Sequence, residues 1–415
     1  MLIHQATLAN GLHVIHAEVP DTQMTALCLL YKVGARNEAP AHTGWAHLLE
    51  HLMYEGTPRI PDYDAQVQLV GGENNAFTNS DFTSFYVTMP QRHIETAFRL
   101  EADRMRGISL ADDSVEVQKQ VVIEEFRQRD LGQPYGDLQH LLRPLAYRQH
   151  PYRWPTIGVD ISHIEGATSE AIRDFYHRHY HPSNAILSIA GATPWDEALS
   201  LARQYFEPIA DTPFPIPVLP EEPKQTRMRR LTVRRDVPLD MLVMAWHMPS
   251  RNDSRFTACD IITDLLANGH SSRLNQRLIG ERRLFNTIDA YISGSTDPGL
   301  IHIVGRVNPG VSMADAEQAV WQEVDRLKHE PIDDQELEKV RNRFESERVF
   351  NHISHLNVAI SLAQHALYGT TPDEEIRRYR AVSATDVQQA ARTFLTRQGC
   401  SVLHYLSRLI GEHTG

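Results

Sequence analysis

The chain has 415 residues, with 41 Lys and Arg against 53 Asp and Glu, for a formal net charge of −12. At 41% hydrophobic and 23% charged residues it can bury sizeable cores, which excludes disorder and a long coiled coil and predicts two domains. The acidic balance argues against nucleic-acid binding, and three scattered cysteines, Cys28, Cys259 and Cys400, exclude a disulfide framework and a cysteine-based zinc site.

The first residues lack the basic region and apolar stretch of a signal peptide. No apolar run is long enough to span a membrane. The expectation is a soluble, cytoplasmic protein with no membrane partner. Alternating apolar residues predict strands over 11–17 and 25–33. A helix follows in 44–57, then a strand over 83–89. Next come a helix–turn–helix stretch and a helix in 117–130. A block starting at His163 reads as a capped helix leading into a strand over 185–190.

Six prolines (Pro208, Pro213, Pro215, Pro217, Pro220 and Pro223) then mark an extended linker, because proline has no N–H for a helix or sheet interior. Strands are predicted beyond it over 231–237, 241–248, 287–293, 300–307 and 401–405. The arginines after the linker (Arg227, Arg229, Arg230, Arg234 and Arg235) read as a solvated strand edge.

The linker lies at mid-chain, and the halves match. The block from His163 aligns with one from Arg378, so that Thr168 meets Ser383, Ile172 meets Val387 and Tyr180 meets Leu395. A second pair, each with two helices around an Asp-Asp turn, occurs in the same order. This predicts a tandem duplication. The fold class is α+β: two homologous domains, 1–207 and 227–415, joined by a Pro-rich linker at 208–226. Each is a mostly antiparallel sheet with helices packed on one face. No phosphate-loop, dinucleotide or Gly-x-Ser-x-Gly signature appears.

The chemistry concentrates in GWAHLLEHLMYEGT, which holds His47, Glu50 and His51 in the order H-x-x-E-H. At 100° per residue, His51 lies about 40° from His47 and Glu50 about 60° to the other side, with Tyr54 between. The apolar residues Trp45, Leu48, Leu49, Leu52 and Met53 take the opposite face. Two imidazoles one turn apart suit zinc, and the ion acidifies a water that Glu50 can deprotonate. The bland alternative is a solvated face in a chain with 22 histidines. A glutamate at the right internal position, on a helix with a clean apolar face, favours the metal.

A catalytic zinc site needs a third protein ligand. The 117–130 helix offers Glu124 and Glu125, which project about 100° apart, so only one can face the ion. Residue geometry alone leaves the choice between them open.

These residues carry a resemblance. HLLEH, the later Glu-Glu step and the duplicated halves resemble the pitrilysin/insulinase/mitochondrial processing peptidase superfamily, in its short, two-domain subunit form. Further matching blocks are Gly34 to Glu38, GGENNAFTNSDFTSFYV, VVIEEF, HPSNAILSIAG and SSRL. The resemblance implies a zinc metalloendopeptidase. His47, His51 and Glu125 would be the ligands and Glu50 the base. Asn75, Ala76, Phe77 and Thr78 would form the edge strand on which a peptide substrate lies extended. Asn75 could also bond the substrate or the oxyanion.

The chain departs from the family pattern in two places. Many members carry a second glutamate two turns before the ligand, where this chain has Gln118. Complete members also carry an Arg and a Tyr in the second half, where alignment puts Ile279 and Asn286. The second half has no H-x-x-E-H, and its counterparts to His47, Glu50 and His51 are Asp260, Thr263 and Asp264. The expectation is a heterodimer, rather than a homodimer, with a homologous subunit supplying Arg and Tyr in a closed chamber. The alternatives are a processing peptidase for one precursor, as in cofactor or bacteriocin maturation, and a non-catalytic scaffold. His177, His179 and His181 are read as half-exposed residues without a metal.

Overall fold

The computed structural model describes residues 2–408 apart from Pro20, Ile216 and Ser295. The chain forms two compact units. The first comprises the residues up to Arg129, Trp154–Pro220 and Arg348–Pro372. The second comprises Asp130–Arg153, Glu221–Glu347 and the residues from Asp373 onward.

The first unit is built on six strands: β1 (Ile3–Thr7), β2 (His13–Glu18), β3 (Met24–Tyr31), β4 (Glu73–Thr78), β5 (Thr83–Pro90) and β6 (Ala185–Gly191). Their order in the sheet is β1-β2-β6-β3-β5-β4. Every pairing is antiparallel except β2 with β6. β3 shows why its sequence, MTALCLLY, is almost continuously apolar: both of its faces are covered. Leu27, Leu29 and Tyr31 face a core shared with helices of the same half, among them Trp45–Leu52, Ile94–Arg106 and Asp112–Phe126. The smaller Ala26 and Cys28, with Leu30, face the helix His355–Tyr368 through Val358, Ala359, Leu362 and Ala363.

The second unit holds β7 (Arg229–Arg235), β8 (Met241–His247), β9 (Phe285–Ile292), β10 (Leu300–Val307) and β11 (Cys400–Ser407), in the order β7-β11-β8-β10-β9. Only β7 with β11 is parallel. Adding five to each strand number of β2-β6-β3-β5-β4 reproduces this order, so the duplication is visible in the topology; β1 is the extra strand. β7 is an edge strand, where the arginines after the linker were expected. One face of this sheet packs on Phe256–Ala267, Met313–His329 and Ala384–Phe394. The other face packs on Leu138–Ala146 through Leu142 and Ala146.

The mixed helix-and-sheet class and the mostly antiparallel sheets agree with the sequence reading. Each sheet also carries a helix on its second face. That helix comes from a segment of the opposite half, 348–372 for the first unit and 130–153 for the second. The compact units therefore differ from the linear spans 1–207 and 227–415 by this exchange. Among the described residues, no helix is long and apolar enough to cross a membrane.

Candidate metal centre

The helix Trp45–Leu52 begins after Gly44, whose φ of 90° is in the left-handed region; a Cβ there would meet the Ile157 carbonyl oxygen at 2.6 Å. Its first turn is held by the buried Glu38 carboxylate, which accepts from the N–H groups of Gly44 (2.9 Å) and Ala46 (2.8 Å). Burial pushes the Glu38 carboxyl up to about 8, against the pull of these bonds. Trp45, Leu48, Leu49 and Leu52 fill the core, so His47, Glu50 and His51 are left on the other side. Tyr54 behaves differently from the helix projection. The helix ends at Leu52, and the Tyr54 ring turns in against Tyr63 and Phe85.

The imidazoles of His47 and His51 stand with ring centroids 4.9 Å apart and planes at 87°. Glu125, on Asp112–Phe126, places Oε2 3.6 Å from Nε2 of each histidine. Glu124 points elsewhere: its side chain is 55% exposed and pairs with Arg127 and Gln128. The structure thus brings Glu125, not Glu124, to the histidines.

Candidate ligand atoms of the three residues lie within 4.8 Å of one another. Ligands at about 2.1 Å around a tetrahedral zinc ion are separated by about 3.4 Å, so two nitrogens and one oxygen at this spacing fit the ion and leave a fourth position open. Among the described residues this is the one group with metal-binding geometry. A bond from His51, the neighbouring His47 and Arg129 hold the Glu125 carboxyl below its ordinary range, against its partial burial. Arg129 Nη1 donates to the other carboxylate oxygen at 2.9 Å.

Burial raises the Glu50 carboxyl, and the hydroxyl of Thr78 opposes this by donating to Oε2 at 2.6 Å. Thr78 ends β4, the outermost strand of its sheet, and lies opposite Thr83 of β5. One edge of β4 therefore has no strand partner among the described residues, the arrangement needed for an extended peptide to add. Asn75 Oδ1 accepts from the Ala76 N–H at 2.8 Å, and Phe77 packs on Phe82 and Tyr86. The Thr78 hydroxyl, the Glu38 cap and Arg129 were not assigned these roles from the sequence. The Gly34–Glu38 block was the available signal for the cap.

Gln118 is engaged with Glu55: its amide donates to Glu55 Oε1 at 2.6 Å. In the second unit, Asp260 accepts from the Tyr379 hydroxyl and Asp264 accepts from Asn268 at 2.6 Å. Ile279 packs beside the second core, and Asn286 is exposed on β9. His177 is exposed, but His179 and His181 are buried rather than half-exposed; His181 bonds Asp211 at 2.7 Å, and burial pushes His179 down to about 4.

Comparison with known proteins gives a consistent picture. Residues 13–159 match the family described as "Insulinase (Peptidase family M16)", and residues 166–344 match "Peptidase M16 inactive domain". The chain is 28% identical over 399 residues to the "Zinc protease PqqE" of Helicobacter pylori, covering 94% of this chain and 89% of that one. It superposes on a protease crystal structure from Helicobacter pylori with a TM-score of 0.92 at 26% identity, over 97% of this chain and 99% of that chain. The fold also matches the first half of the periplasmic protease PqqL from Escherichia coli, with a TM-score of 0.82 at 18% identity, over all of this chain and 93% of that one.

Proposed function

The chain belongs to the pitrilysin/insulinase (M16) superfamily, and from that premise we propose that it is a zinc metalloendopeptidase subunit acting on peptides or small unfolded polypeptides. The observation that carries this reading is the convergence of His47, His51 and Glu125, with Glu50 beside them on the same helix. These three residues would hold the ion. Zinc bound there supplies Lewis acidity, which acidifies a water near neutrality and polarises a carbonyl. Glu50 takes the proton from the attacking water at its carboxylate and passes it to the leaving amine. The Thr78 hydroxyl fixes the Glu50 carboxylate while this happens. The substrate lies as an added strand along Asn75–Thr78, so the bond to be cut runs past Glu50.

The chain works with a homologous subunit that supplies the Arg and Tyr and closes a chamber. Ile279 and Asn286 support this, because neither side chain can replace those donors. The correspondence in fold with the first half of PqqL fits a chain that is one half of such an assembly. The presence of Glu50 argues against a scaffold, which has no use for a base. Turnover of a mixed peptide pool, read by mass spectrometry, tests the reading. Glu50→Gln abolishes turnover in active preparations; retained turnover shows that Glu50 is not the base. Full activity of the chain purified alone removes the need for a partner.

A further inference from the structure

The proposed ligands come from two separate helices, and their register is not set by covalent structure. Trp45–Leu52 brings the two histidines and Asp112–Phe126 brings Glu125. Leu48 and Leu52 share a core with Val122, Ile123 and Phe126. Such apolar contact holds the helices together but is non-directional in its driving force. A hydrogen bond is directional. The Gln118 amide donates to Glu55 Oε1 at 2.6 Å, and both side chains are half-buried. Glu55 lies three residues past the end of the histidine helix, in the turn that follows it, and Gln118 lies two turns, about 10 Å, before Glu125.

We propose that the Gln118–Glu55 bond fixes the Glu125 helix against the turn that closes the histidine helix, and so its register with the two imidazoles, which makes Gln118 a positioning residue for the metal site. The inference rests on the zinc reading above. Ligand distances tolerate only about 0.2 Å, so a small slide of one helix displaces Glu125 from both imidazoles. Gln118 is thus more than a missing charge. A carboxylate at 118 would place two anions in contact, whereas the amide gives Glu55 a charge-assisted bond.

The test is zinc affinity of the full chain, measured by competition with a chromogenic chelator near neutral pH, with thermal unfolding of the metal-free proteins alongside. Gln118→Glu weakens zinc binding about tenfold, although a negative charge added near a cation would by itself strengthen it. The double exchange Glu55→Gln/Gln118→Glu restores the bond with its polarity reversed and keeps the wild-type net charge. It binds zinc within about threefold of wild type, which gives a coupling of the sign a double-mutant cycle reads. If Gln118→Glu does not fold, Gln118→Ala, which removes the donor without adding a charge, carries the comparison: it weakens zinc binding, and binding as tight as wild type overturns the register role. Gln118→Glu binding as tightly as wild type, or a double exchange no better than the single, overturns the register role. A wild-type chain that binds no zinc overturns the metal reading itself, which distinguishes the two failures.

Discussion

Replacing Arg104 by methionine is expected to weaken the first unit severely. Arg104 is 1% exposed, and Glu101, one turn earlier on Ile94–Arg106, is 0% exposed. The guanidinium donates to the carboxylate through Nε at 2.8 Å and Nη2 at 2.6 Å, and the Tyr63 hydroxyl donates to it at 2.7 Å. Phe85, Tyr63 and Tyr54 surround the cation, with ring centroids 4.3, 4.5 and 5.3 Å away. Phe85 lies opposite Ala76 of the proposed substrate strand, and Tyr54 follows the histidine helix, so this buried pair supports both sides of the site. Methionine fills the stem but leaves Glu101 as a buried anion with only Tyr63 bonded to it. Breaking a buried pair in this way costs about 3–5 kcal/mol, and losing the cation from the rings adds about 1 kcal/mol. For a unit of roughly 200 residues, each kcal/mol moves Tm by about 2–4 °C, so the melting point falls by about 10–20 °C. Glu101→Leu/Arg104→Met removes both charges and recovers most of the loss, because apolar replacement of a buried pair is often neutral. Scanning calorimetry reads both. An Arg104→Met protein melting within about 2 °C of wild type, or a double replacement no better than the single, would show that the buried pair does not carry this stability.

Two further outcomes follow from the same contacts. Thr78→Val removes the hydroxyl on Glu50 but keeps the branched side chain; a hydrogen bond to a charged group is worth about 1.5–3 kcal/mol, so kcat falls by at most about 100-fold, with KM and zinc content close to wild type. Thr78→Ser keeps most of the rate, and unchanged kcat in Thr78→Val would show that the hydroxyl does not position the base. In the second unit, burial raises the Glu317 carboxyl, but bonds from His404, Arg230 and Trp321 outweigh it and hold the group far below the usual carboxylate range. A depressed folded value stabilises above the unfolded value of about 4.3 and is lost as pH falls below it. Thermal stability of wild type therefore drops below about pH 4.3 more steeply than that of Glu317→Gln. Parallel pH profiles would contradict this.

The histidine helix was legible because its polar and apolar positions separate cleanly at the helical period. The choice between Glu124 and Glu125 was not legible from spacing, because it depends on where a second helix docks; the family resemblance implied Glu125, whose Oε2 lies 3.6 Å from both imidazoles. β1 escaped notice because IHQAT is a half-exposed edge strand with little apolar alternation. The exchanged helices Leu138–Ala146 and His355–Tyr368 show an apolar face in sequence, but periodicity does not say which sheet that face will cover. Tyr54 was placed on the polar side by extending a helix that stops at Leu52. The hydroxyl of Thr78 was hidden for a similar reason: its partner lies on another element, and only the folded chain brings Glu50 to it.

In the proposed site His47, His51 and Glu125 hold zinc while Glu50 does not. Elemental analysis of the purified full chain tests this without a substrate or partner. About one zinc per chain is expected in wild type and in Glu50→Gln, and a marked loss in Glu125→Gln. A wild-type chain without zinc, or Glu125→Gln with a full complement, would contradict it.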